Sequence, residues 1–310
     1  MKDSLEDVLN SGFAAWRNNL VIGVPFILDL IASTMLVMIA LAAGLFVAVL
    51  FFAVALSDLS KIYSLILSAV PMVAISVMVV FILLAFVGSF FESGAIGMAL
   101  CALRTGRTRL GDMFSYGKKN TVRVFLAGIL VGLIMVAAFA AGSLVVVGVW
   151  YAVNALSQLF AWVIAMVLAV VLILCLILIA ISLSPVKYLV VIEDIGAVQA
   201  VLRAHRFSMD NKTAVFAVWL ITAVIGILFS GFNFLVGTVL GMLPLAGPLL
   251  KIAFSMMLAS VEAAIIYPLL ACWWTRLCMG AAEKKNDPIA PNLEAAQPAS
   301  GNPSSGQFYV

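Results

Sequence analysis

A single histidine, His205, stands in a chain of 310 residues. No second His, Cys or carboxylate lies at ligand spacing from it, so no metal centre is expected. The four cysteines, Cys101, Cys175, Cys272 and Cys278, fall in or beside apolar stretches without paired spacing and read as small packing residues. Charge is scarce too: 10% of residues are Asp, Glu, Lys or Arg, whereas soluble domains carry roughly a quarter. There is no Gly-rich phosphate loop, no His pair beside a general base on a helix and no Gly-x-Ser-x-Gly elbow. No polar stretch is long enough to fold into a separate catalytic domain. The expectation is a protein that is not an enzyme and uses no cofactor.

What the chain does have is apolar length. Hydrophobic residues make up 65% of it and run almost unbroken over about 20–57, 62–91, 124–157, 159–186, 213–243 and 249–275. Each run exceeds the ~20 residues that carry a helix across ~30 Å of hydrocarbon. The fold class is therefore all-α and polytopic, with six transmembrane helices. Short breaks at Ser57–Lys61, Asn154–Gln158 and Pro244–Pro248 join the helices into three antiparallel hairpins. Of 17 Lys and Arg residues, 15 lie on the side of the longer connections, and only Lys61 and Lys251 lie on the other. Such an excess marks the cytoplasmic side, so both termini are expected in the cytoplasm and the protein in the cell membrane. The net charge of +3 then expresses topology and attraction to anionic lipid, not nucleic-acid binding. The run from Leu20 is too long for a signal-peptide core and is expected to serve as an uncleaved signal.

Most of the charge is gathered into recurring phrases. Glu92-Ser93-Gly94-Ala95-Ile96 leads through Arg104 to Phe114–Asn120, and Glu193-Asp194-Ile195-Gly196-Ala197, 101 residues later, leads through Arg203 and Arg206 to Phe207–Lys212. A shorter echo, Phe13–Asn19, precedes the first run. Residues 4–17 carry Ser4 as a helix cap with Asp7 three positions on, and Leu5, Val8, Leu9, Phe13 and Trp16 recur at helical spacing. Residues 193–206 place Ile195, Val198, Val201 and Leu202 together beside a stripe of Gln199, Arg203 and Arg206. Both read as amphipathic helices in the membrane interface, where an indole and long cations are accommodated. Each unit is thus an interfacial helix, a polar junction and a hairpin, giving an internal repeat with units at about 1–91, 92–186 and 187–280. Residues 1–280 form the six-span domain. From Ala281 the composition turns to Pro, Ala, Ser and Asn, expected to be a disordered cytoplasmic tail.

Two acids, Asp29 and Glu262, fall ~15 Å into their spans, where ionisable groups are costly and are functional candidates. Surface contacts to lipid are expected from Trp16, Arg17, Arg104, Arg107, Arg109, Lys118, Lys119, Arg203, Arg206 and Lys212. Glu92 and Lys187, near span ends, are assigned positional roles. Gly128-x-x-x-Gly132 and Gly237-x-x-x-Gly241 have the spacing that permits close helix approach.

The order of Phe13–Asn19 before a Pro-containing first span, Gly94 and Gly97 after the second, and Glu193–Lys212 after the fourth resembles the six-span membrane region of membrane-anchored glycerophosphodiester phosphodiesterases and related prokaryotic families. It covers roughly residues 4–280. In those phosphodiesterases the chemistry resides in a separate soluble barrel, which this sequence lacks, so the resemblance implies the membrane fold and no activity. The expected function is a non-enzymatic membrane scaffold or accessory factor that contacts the bilayer, its anionic headgroups or a membrane protein partner. The alternative is a transporter or channel for ions or small solutes that uses Asp29 or Glu262.

Overall fold

The computed structural model describes residues 4–57, 62–244 and 246–285. Residues 281–285, expected to begin the disordered tail, instead continue the last described helix; the tail from 286 onward and the connection at 58–61 lie outside the described residues. Among the described residues all regular structure is helical. Helix α1 (Leu5–Asn18) is capped as its sequence dictates: the Ser4 hydroxyl accepts from the Asp7 N–H at 3.2 Å, and the Asp7 carboxylate accepts from the Ser4 N–H at 3.0 Å. The Ser4 hydroxyl also donates to the Asp7 carboxylate at 2.9 Å, and this bond, with the one from the Ser4 N–H, holds the Asp7 carboxyl below the usual carboxylate range. A single tight turn, Leu20–Gly23, then feeds α2 (Val24–Ser57).

The chain continues through α3 (Ile62–Thr105), α4 (Leu110–Asn154), α5 (Gln158–Leu183), the short α6 (Val186–Ile192), α7 (Ala197–Asp210), α8 (Lys212–Gly241), α9 (Gly247–Val261), a wide π-turn at Glu262–Ile266 and α10 (Tyr267–Lys285). Six segments are long and apolar enough to span a membrane: Leu20–Val49, Val70–Thr105, Leu110–Asn154, Gln158–Ile192, Lys212–Gly241 and Gly247–Gly280. This is a multi-pass integral membrane protein. The breaks expected near Asn154–Gln158 and Pro244–Pro248 separate α4 from α5 and α8 from α9. At Ser184-Pro185 the chain leaves α5, because Pro185 has no N–H to continue the ladder; the Ser184 hydroxyl bonds back to the Ala180 carbonyl at 2.8 Å.

The two long phrases do not fold alike. Residues 92–105 simply prolong α3, and Leu110–Asn120 begin α4, so the first phrase forms no separate interfacial helix. The second does break, at Glu193–Gly196, where Asp194 takes a left-handed φ of 55° and Gly196 caps α7. Packing accounts for the difference. Gly97 lies so close to α4 that a Cβ there would sit 2.2 Å from Tyr116 Cγ, and the neighbours Ser93, Ala95, Ile96, Met98 and Ala99 are buried. That tight seam keeps the helix running through residues that look like a junction in isolation.

Buried side chains concentrate at one end of the bundle, the end that carries α1, the α3–α4 connection, α6 and α7. One cluster joins Ile96, Val124, Leu189, Val190, Ala204, Val215, Val218, Trp274 and Cys278, and a second joins Ile22, Met98, Met113 and Cys272. Helix α1 belongs to this core: Val8 is buried in it, and the Trp273 indole N–H donates to the Leu9 carbonyl at 3.0 Å. Away from this end the helices present apolar surface outward, as with Met38, Leu45, Phe139, Leu178 and Leu228. Exposure on that scale would oppose folding in water, and it suits hydrocarbon. The wide turn at Glu262–Ile266 has a local cause as well. Pro268 cannot donate to the Ala264 carbonyl, and Gly23 brings the start of α2 against that same oxygen, 2.8 Å from where a Cβ would stand. Gly128 and Gly132, by contrast, face no neighbour within 4 Å among the described residues, so their spacing marks no contact there.

Candidate functional site

The polar groups of the packed end sort into three assemblies. The first is built on Asn19, a buried residue that ends α1. Its side-chain amide donates to the Ala15 carbonyl at 3.0 Å and the Gly106 carbonyl at 3.2 Å, and its side-chain oxygen accepts from the Thr108 N–H at 3.2 Å. Gly106 supplies the positive φ, 76°, that this turn requires. The Asp112 carboxylate closes the start of α4 by accepting from the Arg109 N–H at 2.8 Å and the Thr108 hydroxyl at 3.1 Å. In consequence Arg17, two residues before Asn19, is brought beside the loop that carries Arg104, Arg107 and Arg109. All four are exposed, and none enters an ion pair among the described residues. Exposed Phe13, Leu20, Leu110 and Phe114 flank them.

The second assembly ties the phrases together. The Lys187 ammonium on α6 bonds to the Glu92 carboxylate on α3, so two residues read separately as positional are partners. Their shared signal in the sequence is that each breaks an apolar run at a span end. In the second phrase Arg203 of α7 turns back onto Glu193 at 3.2 Å and is partly buried; it is the Glu193 partner as well as a member of the expected cationic stripe. Arg206 and Lys212 remain exposed. His205 meets the Ser182 hydroxyl on α5 at 3.0 Å. Among the described residues no three His, Cys, Asp or Glu side chains gather as a metal-binding group.

The third assembly is a three-residue clamp. Lys119 Nζ lies 2.9 Å from Asp194 Oδ2, and Arg123 Nη1 lies 2.5 Å from Asp194 Oδ1. Arg123 also donates to the Asp194 backbone carbonyl at 3.3 Å. The hydrogen bond from Lys119 is the largest influence holding the Asp194 carboxyl below the usual range, and its charge and the Arg123 contact add to it. Lys118 next door is exposed and enters no ion pair among the described residues. Trp16 sits half-buried: its ring packs against the Ile22 and Met98 cluster, 5.6 Å from the Phe13 ring, and its indole nitrogen is buried with no hydrogen-bond partner among the described residues.

The two deep acids find separate partners. Asp29 on α2 accepts from the Ser33 hydroxyl at 3.4 Å and faces Gly88 of α3. Glu262 opens the π-turn and accepts from the Tyr267 hydroxyl at 3.3 Å, while the Tyr267 ring meets Phe26 of α2 at 5.9 Å. No hydrogen bond joins the two acids.

A family profile described as Domain of unknown function (DUF7847) matches residues 30–277. The chain belongs to this DUF7847 family. The match takes in four of the spans whole and most of the first and the last, together with the Glu92–Lys187 pair, the Lys119–Asp194–Arg123 clamp and the arginine loop, while α1 lies ahead of it. No curated protein and no solved structure matches the chain. Membership of DUF7847 thus accompanies the six-helix membrane architecture and brings no activity with it.

Proposed function

We propose that this protein is a non-enzymatic membrane scaffold or accessory factor whose packed end lies at the cytoplasmic face of the cell membrane and holds anionic lipid headgroups. The observation that carries the reading is the corner built on Asn19, where Arg17, Arg104, Arg107 and Arg109 stand exposed and, among the described residues, outside any ion pair, beside exposed Phe13, Leu20, Leu110 and Phe114. Cations at the border of an apolar surface suit lipid phosphates, each contributing about 1 kcal/mol near an anionic leaflet. The sequence asymmetry of Lys and Arg supports placing this end, and both termini, in the cytoplasm. On this reading α1 and α7 are interfacial helices, the three hairpins descend from one repeated unit, and the resemblance to the membrane region of the glycerophosphodiester phosphodiesterases extends to architecture alone.

Purification from a membrane of mixed lipids, with native mass spectrometry of the retained lipid, tests the reading. The wild-type chain should carry phosphatidylglycerol in excess over phosphatidylcholine, and Arg17→Gln/Arg104→Gln/Arg107→Gln/Arg109→Gln should lose most of that excess. Equal retention by both proteins would sink it. Transport through Asp29 or Glu262 is the second reading, favoured by the π-turn that Glu262 opens, since such turns recur at functional sites. Ion or solute flux in proteoliposomes that falls in Asp29→Asn or Glu262→Gln would establish it in place of the scaffold.

A further inference from the structure

The clamp on Asp194 has the geometry of a phosphate site with its occupant supplied by the chain itself. Lys119 and Arg123 stand one turn apart on α4 and take one carboxylate oxygen each, as two cations take two oxygens of a phosphate. Three features make the occupant exchangeable. First, the side chains are about half exposed, 57% for Lys119, 42% for Arg123 and 48% for Asp194, and ion pairs in such surroundings hold weakly. Second, Asp194 is, among the described residues, the only one besides glycine with a positive φ, a backbone state that works against the contact. Third, the clamp sits where the lipid-facing surface begins: on the same helix Val122 is 56% and Leu126 49% exposed, and Ile129, Leu133, Val136 and Phe139 continue that stripe. In a bilayer this border is the level of the phosphates, and Lys118 adds a third cation there.

We propose that Lys119 and Arg123 form a binding site for the phosphate of an anionic lipid headgroup and that Asp194 is its built-in competitor. Lipid binding displaces the carboxylate and frees the turn between α6 and α7. The inference rests on the lipid reading above and adds one particular site to it.

The test uses the full chain in nanodiscs of phosphatidylcholine with a rising fraction of phosphatidylglycerol, reading retained phosphatidylglycerol and hydrogen exchange of residues 193–197. Asp194→Asn removes the competitor and should raise phosphatidylglycerol affinity by up to about fivefold, the range an exposed ion pair supplies. Asp210→Asn, at the exposed end of α7, makes the same change in charge and should not match that gain. Lys119→Gln/Arg123→Gln should abolish the gain. In the wild type, phosphatidylglycerol should speed exchange at 193–197, and in Asp194→Asn exchange should be fast without it. If Asp194→Asn gains no more than Asp210→Asn while the wild type still selects phosphatidylglycerol, the site is wrong and the lipid reading stands. If the wild type shows no selection at all, both fall. If millimolar inorganic phosphate in phosphatidylcholine discs speeds exchange as phosphatidylglycerol does, the ligand is soluble phosphate and the lipid assignment is overturned.

Discussion

Adding one methyl group at position 97 probes the seam that turns a junction-like phrase into a continuous helix. A Cβ there would lie 2.2 Å from Tyr116 Cγ, 2.3 Å from Tyr116 Cβ and 2.6 Å from Tyr116 Cδ2, where carbons rest at about 3.5–4.0 Å. Rotating the Tyr116 side chain moves Cγ and Cδ2 but leaves Cβ in place, so α3 and α4 must part by about 1 Å or more to admit the methyl. Overpacking of this kind costs about 1–3 kcal/mol, and the better helix propensity of Ala over Gly returns only about 0.5–1 kcal/mol. Gly97→Ala should therefore lose about 1–2 kcal/mol, a fall in Tm of roughly 1.5–3 °C for a chain of this length. Cys272 and Cys278 are buried free thiols that a thiol-reactive fluorophore reaches on unfolding, and Cys175→Ser in the background removes the exposed one. Gly128→Ala, which meets nothing within 4 Å, is the control and should be neutral or slightly stabilising. If Gly97→Ala melts at or above the reference temperature, helix propensity alone governs the position and the close seam is refuted.

Three further outcomes are expected. Asn19→Ala strips partners from the Gly106 carbonyl and the Thr108 N–H, at about 0.5–1.5 kcal/mol for each bond lost; limited trypsin digestion should cut severalfold faster at Arg107 and Arg109. Lys187→Met strands the Glu92 carboxylate and should destabilise by about 1–2 kcal/mol, less than for a fully buried pair because both side chains are partly exposed. Adding Glu92→Gln should recover most of that loss in the same thiol melt, and a double variant worse than the single would refute the pairing. The Asp194 carboxyl is held below its ordinary value of 3.8, so the clamp contributes fully at and above about pH 5 and is lost as pH falls through that lowered value. Hydrogen exchange at residues 193–197 should be flat from pH 5 to 8 after correction for intrinsic rates and rise only below about pH 4, whereas a midpoint near pH 6 would assign the transition to another group.

How far the sequence reaches is set by how local the deciding contact is. The six spans, the turns after Asn154 and Gly241 and the Ser4 and Asp7 cap each depend on residues within one or two helical turns, and each is legible. The continuity of α3 through Gly94 and Gly97 was not, because it depends on Met113 and Tyr116 in the next helix. Trp16 reads as a headgroup anchor by residue type, yet its ring lies against Ile22 and Met98, and only the folded chain brings those surfaces together. The partners Glu92 and Lys187 are separated by 95 positions, and Asp194 lies 75 and 71 positions from its two cations; a pattern of charge marks such residues as unusual without saying which meets which.

The hydrogen bond from the Trp273 indole to the Leu9 carbonyl spans 264 positions, and it has a consequence for biogenesis. A nascent chain can insert its hairpins in order, but α1 has no α10 to rest on until the sixth span has left the ribosome. For most of translation the Val8 face of α1 is an unsatisfied surface, available to insertion factors or to the lipid itself. Closure of the packed end is then a single late event, and a ribosome-stalled chain ending before Tyr267 should expose α1 to protease as the full-length chain does not.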